Sequence, residues 1–415
     1  MTNPSTVYQT LIAPLLPLLK AEARQLKNDH YTLSLYYFTL NLCYCIIAGV
    51  NSLRLLATEI KSLKDAKKLE LVSVSPSMYS EAFSRYDPMI FRRLLLGLLE
   101  TLRLKSIPEI DVLGRFILMD GSIFPAIKSM VWAHYKKTAN GLKLHLAFEL
   151  NRMIPVQFIS TEANGSEKNR LRNLLEKGVT YIADRGYIAF DLFSQVSDQS
   201  AFFIIRVKSN MDCTVRESLT VHLPEHWRRH VTHVTDNQVI FIGDKRKKLY
   251  RLITFDALGE SYRIATNRLD LTTHEIMMLY AYRWQIELFF RCIKRCFKGL
   301  HLWSHEPKGI ETQFYIYIIV YLLLLSFKQD IHEKDNEDSD RLENQKINDI
   351  TDPLESEHQD MLKDTNSRTP ACGIVTLLGE KLKGIWKIGI HWLKALRNQL
   401  TSPLNFETMR LLNST

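Results

Sequence analysis

The hydrophobic period of the chain changes near Ile107, and one kind of secondary structure cannot serve both sides of the change. Before it, Leu-rich runs recur at helical spacing, at Leu11–Leu19, Leu53–Ile60 and Met89–Leu104. After it come short runs of strand character: Arg115-Phe-Ile-Leu-Met-Asp120, Lys143-Leu-His-Leu-Ala-Phe-Glu-Leu150, Ile154-Pro-Val-Gln-Phe-Ile159 and Val179-Thr-Tyr-Ile-Ala-Asp184. A helix buries residues three and four apart, whereas a strand buries alternate ones. The chain therefore divides into an all-α part and a part built on a sheet. Asn151-Arg152 is a tight turn, so the first three runs form an antiparallel meander.

A helix is expected over Glu167–Lys177, capped by Ser166, between the third run and the fourth. Strand, strand, strand, helix, strand is the order in which an RNase H-like sheet begins. Further strands are expected at Phe202–Val207, Gln238–Ile242, Leu249–Phe255 and Tyr262–Ala265. Thr272 and Glu275 have the spacing of a capping box, opening a long helix to about Lys298. The fold class is thus α/β, with an all-α N-terminal domain before the sheet; the family resemblance set out below implies that the sheet is an RNase H-like core interrupted by a β-rich insertion. The expected divisions are 1–108 (helical), 109–200 (first part of the core), 201–268 (β-rich insertion) and 269–328 (second part of the core). An acidic polar loop over 329–369 and a helical tail over 370–415 follow. Ser75-Pro76 reads as a helix start with proline at the first position. The following Ser77–Tyr86 reads equally as a DNA-facing helix and as a plain surface helix.

The formal net charge is +9, but it is unevenly spread. Residues Asp330 to Arg368 hold 13 acidic and 5 basic residues, leaving +17 on the rest. A body that basic suits a polyanionic partner far better than a small acidic metabolite. The six cysteines show no CxxC pair, so reduced thiols in a cytosolic protein are expected. No secretory signal is evident, since the amino terminus lacks a basic region and Pro14 and Pro17 interrupt its apolar run. Tyr31–Leu53 is uncharged but diluted by polar residues. Phe314–Phe327 is shorter than the roughly 20 residues that span a bilayer. Both are expected to be buried helices, with no membrane partner.

Asp120 and Asp184 each close an apolar strand, where an unpaired carboxylate is costly. Glycine follows both, as Asp120-Gly121 and Asp184-Arg185-Gly186, and lets substrate or backbone approach. A shared metal ion removes the cost of the charges; a plain turn is the alternative for either aspartate alone. Tyr280, Arg283, Glu287 and Lys294 lie at offsets 0, 3, 7 and 14. On one helix they fall within about 60° of each other at roughly 100° per residue. Arg291 and Lys298 extend this stripe, and Ile286, Phe289, Phe290, Ile293 and Phe297 form the opposite face. An ordinary solvated face with an Arg283–Glu287 ion pair has the same pattern. No histidine grouping has zinc spacing. Trp227 could stack on an extrahelical base, and Lys245-Arg246-Lys247-Lys248 could grip a backbone or cap a hairpin.

Tyr280-x2-Arg283-x3-Glu287-x6-Lys294 resembles the Tyr-Arg-Glu-Lys signature of one branch of bacterial insertion-sequence DDE transposases. Asp120-Gly-Ser and Asp184-Arg-Gly-Tyr are similar to the first and second acidic motifs of that family. Tyr282-Arg-Trp-Gln-Ile-Glu-Leu-Phe-Phe290 is similar to the third. The resemblance covers about residues 30 to 328. It implies that Asp120, Asp184 and Glu287 are catalytic and hold two Mg²⁺ ions, with Mn²⁺ as a substitute. It also implies that Tyr280, Arg283 and Lys294 contact DNA near the cleaved end, with Arg291 and Lys298 on the same stripe. The implied partners are double-stranded DNA, as element ends and target, and a second copy of the chain in the DNA complex. A non-catalytic DNA-binding remnant and another RNase H-like nuclease are the alternatives.

Overall fold

A computed structural model describes residues 4–126, 134–136, 139–162, 171–228, 231–257, 259–296 and 302–349. They fall into two units: residues 4–104 with 314–349, and residues 105–313.

The first unit begins with six helices: α1 (Pro4–Ile12), α2 (Leu15–Gln25), α3 (Leu35–Ile47), α4 (Leu53–Ser62), α5 (Pro76–Arg85) and α6 (Pro88–Thr101). The uncharged stretch seen in the sequence becomes α3, which is buried throughout from Phe38 to Ile47. Its polar groups are satisfied where they lie. Thr39 donates to Leu35 O at 2.8 Å, and Asn41 donates to Val72 O and to the Tyr79 hydroxyl at 2.8 Å each. Helix α5 starts as expected, with Ser75 before it and Pro76 at its first turn. It buries Tyr79, Ala82 and Phe83 and exposes Ser77, Ser80, Glu81 and Ser84. Asp87 caps α6 by accepting from Met89 N, and Arg93 grips Glu22 of α2 with two nitrogens.

The second unit holds α7 (Pro108–Asp111), β1 (Arg115–Ala126), β2 (His134–Lys136), β3 (Ala139–Glu149), β4 (Ile154–Glu162) and β5 (Val179–Ala183). Then follow α8 (Phe190–Asp198), β6 (Phe202–Arg206), β7 (Cys213–Ser218), α9 (Glu225–Arg228), β8 (Val231–Phe241), β9 (Tyr250–Ala257) and β10 (Glu260–Thr266). Helices α10 (Thr273–Ala281) and α11 (Trp284–Cys296) complete it, and α12 (Pro307–Asp349) begins in it and runs on through the first unit's residues.

All ten strands form one mixed sheet, in the order β2-β3-β1-β5-β6-β10-β9-β8-β7, with β4 also paired to β3. The expected meander is present, because β1–β3 and β3–β4 are antiparallel. Strands β5 and β6 run parallel to β1 and to each other. From β6 onward every pairing is antiparallel, so the later strands extend the same sheet. Asn151, in the turn between β3 and β4, accepts from Phe116 N at 2.9 Å and donates to Gly114 O and Asp111 at 2.8 Å. It thereby ties the hairpin to the entry of β1. On one face Ile117, Met119, Tyr181, Ala183, Phe203 and Ile205 join Leu192, Phe193 and Val196 of α8 in a core. The other face carries α10, packed on β5 and β6, and α11, packed on β1.

The structure corrects several expectations. Strand β1 does not end at Asp120 but runs on to Ala126 in register with β3, so Asp120 stands mid-strand. The long helix after Thr272 is two helices, broken at Tyr282–Arg283, where Arg283 N bonds Tyr280 O and Gln285 N bonds Tyr282 O. These i→i−3 bonds tighten the chain and interrupt the single helical projection used for Tyr280, Arg283 and Glu287. Residues 329–349 of the acidic stretch are helical, as the end of α12, rather than loop. The apolar stretch also begins earlier than expected. Pro307–Phe327 is 21 residues long and apolar enough to cross a membrane by length and composition, but most of it is buried inside the protein. Of the helix expected over 167–177, residues 167–170 lie outside the described residues, only Leu171 and Arg172 of the remainder are helical, and 173–177 form turns and irregular backbone. Residues 350–369 of the acidic stretch and the tail from 370 also lie outside the described residues.

Candidate functional site

The site is set by strand register. Met119 of β1 pairs with Ala183 of β5, and Ala183 with Ile205 of β6. These three face the α8 core. One residue further along each parallel strand stand Asp120, Asp184 and Arg206. With alternation of period two they face the other way, toward α10 and α11. Adjacent strands lie about 4.8 Å apart, so Asp120, Asp184 and Arg206 are neighbours along this row.

Glu287 enters from above, one turn into α11. Ile286, Phe289, Phe290 and Ile293 are buried and hold the helix down, with Phe289 against Phe148 of β3 at 5.5 Å between ring centroids. Arg283, in the break between α10 and α11, sits among the acids. Its Nη1 is 2.7 Å from Glu287 Oε1 and 3.8 Å from Asp120 Oδ2, and its side chain is only 8% exposed. Asp120 Oδ1 accepts from Gly121 N at 2.7 Å. Asp184 Oδ1 is buried with no hydrogen-bond partner among the described residues.

Burial pushes the Asp120 carboxyl up to about 7, against the pull of Arg283 and the Gly121 amide, and the charges of Glu287 and Asp184 raise it further. Burial opposes the charge on Arg283, but Tyr280, Glu287, Asp120 and Asp184 outweigh it and its pKa is raised. Burial raises the Tyr280 hydroxyl as well, with Asp184 adding to the shift and Arg283 and Arg206 opposing it. Asp120, Asp184 and Glu287 thus all act on one guanidinium, with Tyr280 beside it.

Among the described residues no group of three or more His, Cys, Asp or Glu side chains is arranged to hold a metal ion. In the acid cluster the cationic place is taken by Arg283. The donor chemistry nonetheless fits a hard divalent cation. Three carboxylates supply oxygen ligands, and Asp184 Oδ1 is buried with no hydrogen-bond partner among the described residues.

The side chains of Arg291 and Lys294 on α11, and all of Lys298, lie outside the described residues. Tyr280 and Arg283 are buried, at 2% and 7% exposure. Trp227 is also buried, edge-on to His274 at 4.5 Å. In the basic run after β8, Arg246 and Lys248 both bond Asp198 at 2.5 Å.

Arg206 and the buried Asp236–Arg251 pair belong to none of the sequence motifs. Arg206 lies over the Tyr262 ring at 4.2 Å and bonds Glu260 at 3.0 Å. It closes the apolar run Phe202-Phe-Ile-Ile, the same signal that singled out the two aspartates. Arg251 bonds Asp236, Leu271 O and Arg268 O, and Asp236 accepts from Thr273 at 2.7 Å, which anchors the first residue of α10 to the β8–β9 hairpin. Nothing in the spacing of Asp236 and Arg251 announces that pair.

Asp120 in the middle of β1, Asp184 just past the end of β5 and Glu287 on α11 thus lie on one side of a mixed sheet, around Arg283. The chain belongs to the transposase DDE domain family, whose model matches residues 113–323 and so includes all three acids. It is 29% identical over 210 residues to a putative transposase, y4zB, of Sinorhizobium fredii, covering 50% of this chain and 59% of that protein. It is 26% identical over 200 residues to a probable transposase for insertion sequence element IS5377 of Geobacillus stearothermophilus, covering 46% of this chain and 51% of that one. A putative transposase for insertion sequence element IS4SA of Synechocystis is 24% identical over 280 residues, covering 64% of this chain and 76% of its own length. The chain therefore spans little more than half the length of the first two. A solved piggyBac transposase synaptic complex with hairpin DNA aligns with a TM-score of 0.44 at 10% identity, over 100% of this chain and 85% of that chain.

Proposed function

We propose that this chain is a DNA transposase of the insertion-sequence kind, in the branch with the Tyr-Arg-Glu-Lys signature. The observation that carries the reading is the register that sets Asp120 beside Asp184, with Glu287 linked to Asp120 through Arg283. The strand order β4-β3-β1-β5-β6, with β1, β5 and β6 parallel, supports an RNase H-like core. Strands β7 to β10 are then the β-rich insertion before the glutamate helix. The helical unit before Leu104 is read as a DNA-binding domain.

In this reading Asp120, Asp184 and Glu287 hold two Mg²⁺ ions, for which Mn²⁺ can substitute. Bound there, such ions supply Lewis acidity at a phosphoryl group and lower the pKa of an attacking water. Arg283 grips a DNA phosphate by its fork, and Tyr280, Lys294, Arg291 and Lys298 line the same strand end. A water oxygen bonds to phosphorus at the element end while the bond to the 3′-oxygen breaks and that oxygen leaves protonated. The freed 3′-hydroxyl then attacks phosphorus in target DNA, so one ester bond forms as another breaks. A homodimer pairs two ends in the DNA complex.

The test is cleavage of duplexes carrying the element's ends, in Mg²⁺, by wild type and Glu287→Gln. The expected result is cleavage by wild type only, with both proteins bound to the duplex. Equal cleavage by the variant removes Glu287 from the site, and binding without cleavage by wild type favours a non-catalytic DNA-binding protein.

A further inference from the structure

We infer that Arg283 is the resident counter-cation of the acid cluster, and that divalent metal and DNA together displace it from the carboxylates onto a phosphate. The inference rests on the metal-dependent reading of the acids given above and adds a coupling to it. Its basis is how this arginine is held. Nη1 touches Glu287 at 2.7 Å and Asp120 at 3.8 Å, while Nε is buried with no hydrogen-bond partner among the described residues.

Two other buried arginines in the same unit are held differently. Arg251 spends its nitrogens on Asp236, Leu271 O, Arg268 O and Thr273. Arg268 bonds Asp270 through Nε and Nη2, Leu113 O through Nη2 as well, and Thr180 through Nη1. Those two are fastened in fixed geometry. Arg283 has around it Glu287, the more distant Asp120 and the Tyr280 side chain, and it stands in the break between α10 and α11 rather than inside a helix.

A guanidinium between two carboxylates occupies the place that a cation bridging them needs, and like charges repel most strongly where water is excluded. Metal entry and the observed place of Arg283 therefore exclude one another. A released arginine needs another anion, and a DNA phosphate accepts its fork. Linkage then requires reciprocity: DNA that draws Arg283 away raises metal affinity, and metal raises DNA affinity by the same factor.

The test is Mn²⁺ titration of the full chain by calorimetry, with wild type and Arg283→Gln, each with and without a short DNA duplex. Without DNA, the variant is expected to bind Mn²⁺ about tenfold or more tightly than wild type. The duplex is expected to tighten Mn²⁺ binding by wild type and to leave the variant unchanged. Equal or weaker binding by a folded variant overturns the proposal and makes Arg283 a positioning residue for Glu287. If the variant folds only when Mn²⁺ is present, metal has replaced the missing guanidinium, as expected; if Mn²⁺ does not restore folding, the proposal fails. Asp184→Asn is the separate arm. Unchanged Mn²⁺ binding there shows that the acids are not the metal site, which overturns the underlying reading and this proposal with it.

Discussion

Arg251 of β9 and Asp236 of β8 form an ion pair whose side chains are 5% and 0% exposed, closed by the Thr273 hydroxyl at 2.7 Å from Asp236. The pair joins the β8–β9 hairpin to the start of the helix pair that carries Glu287. Removing one partner leaves a buried charge alone, so Asp236→Asn or Arg251→Met is expected to cost about 3–5 kcal/mol. The double replacement by apolar residues of similar size should cost much less. Urea unfolding of the three variants checks this, and equal losses in single and double variants would contradict it.

Asn151 satisfies Phe116 N, Gly114 O and Asp111 with one amide, and its own carbonyl accepts from Ile107 N. Asn151→Ala leaves the β1 amide and the Gly114 carbonyl without these partners. A loss of about 2–4 kcal/mol is expected, from roughly 1–3 kcal/mol per stranded group. A shift of the unfolding midpoint too small for that range would show that water replaces the side chain.

Cys43 and Cys45 are buried in α3, and burial pushes the Cys43 thiol up to about 12 and raises that of Cys45 too. The thiolate is the reactive form, so both should resist alkylation in native protein at pH 8 and react on unfolding. Of the three cysteines whose side chains are described, partly exposed Cys213 should label first. Mass spectrometry of the labelled peptides reads the order directly.

The basic body of the chain predicts DNA affinity that falls steeply with salt, because lysines and arginines displace counterions from the duplex. The logarithm of the binding constant should decline linearly with the logarithm of salt concentration. An affinity independent of salt would remove the electrostatic basis for DNA as partner.

Loss of the Glu287 carboxylate is expected to lower cleavage at least roughly a thousandfold, the scale on which catalytic groups act. DNA affinity should stay within about threefold of wild type. Parallel losses of binding and cleavage would instead point to a folding defect.

Much of the sheet was legible because its signals are local. The alternating run Lys143–Leu150, the Asn151-Arg152 turn and the Thr272–Glu275 capping box each act within a few residues, and the structure has all three. Strand β7 was missed because Cys213–Ser218 is short, mostly exposed and polar. The break at Tyr282–Arg283 carries no glycine or proline, so local propensity reads straight through it. The helix over 329–349 was hidden by its charge, although its Glu, Lys, Arg and Gln are good helix formers.

The sequence alone determined that an all-α segment precedes a sheet, that Asp120 and Asp184 each follow an apolar strand run and that Glu287 lies on a helix, because period and capping are properties of neighbours; pairing with β3 carries β1 on past Asp120 to Ala126. Tertiary structure decided that the two aspartates stand side by side, that Arg206 shares their row, and that Arg283 lies buried against Asp120 and Glu287. Those relations depend on parallel pairing between strands some sixty residues apart and on the packing of α11 onto β1, where long-range contacts outweigh local preference.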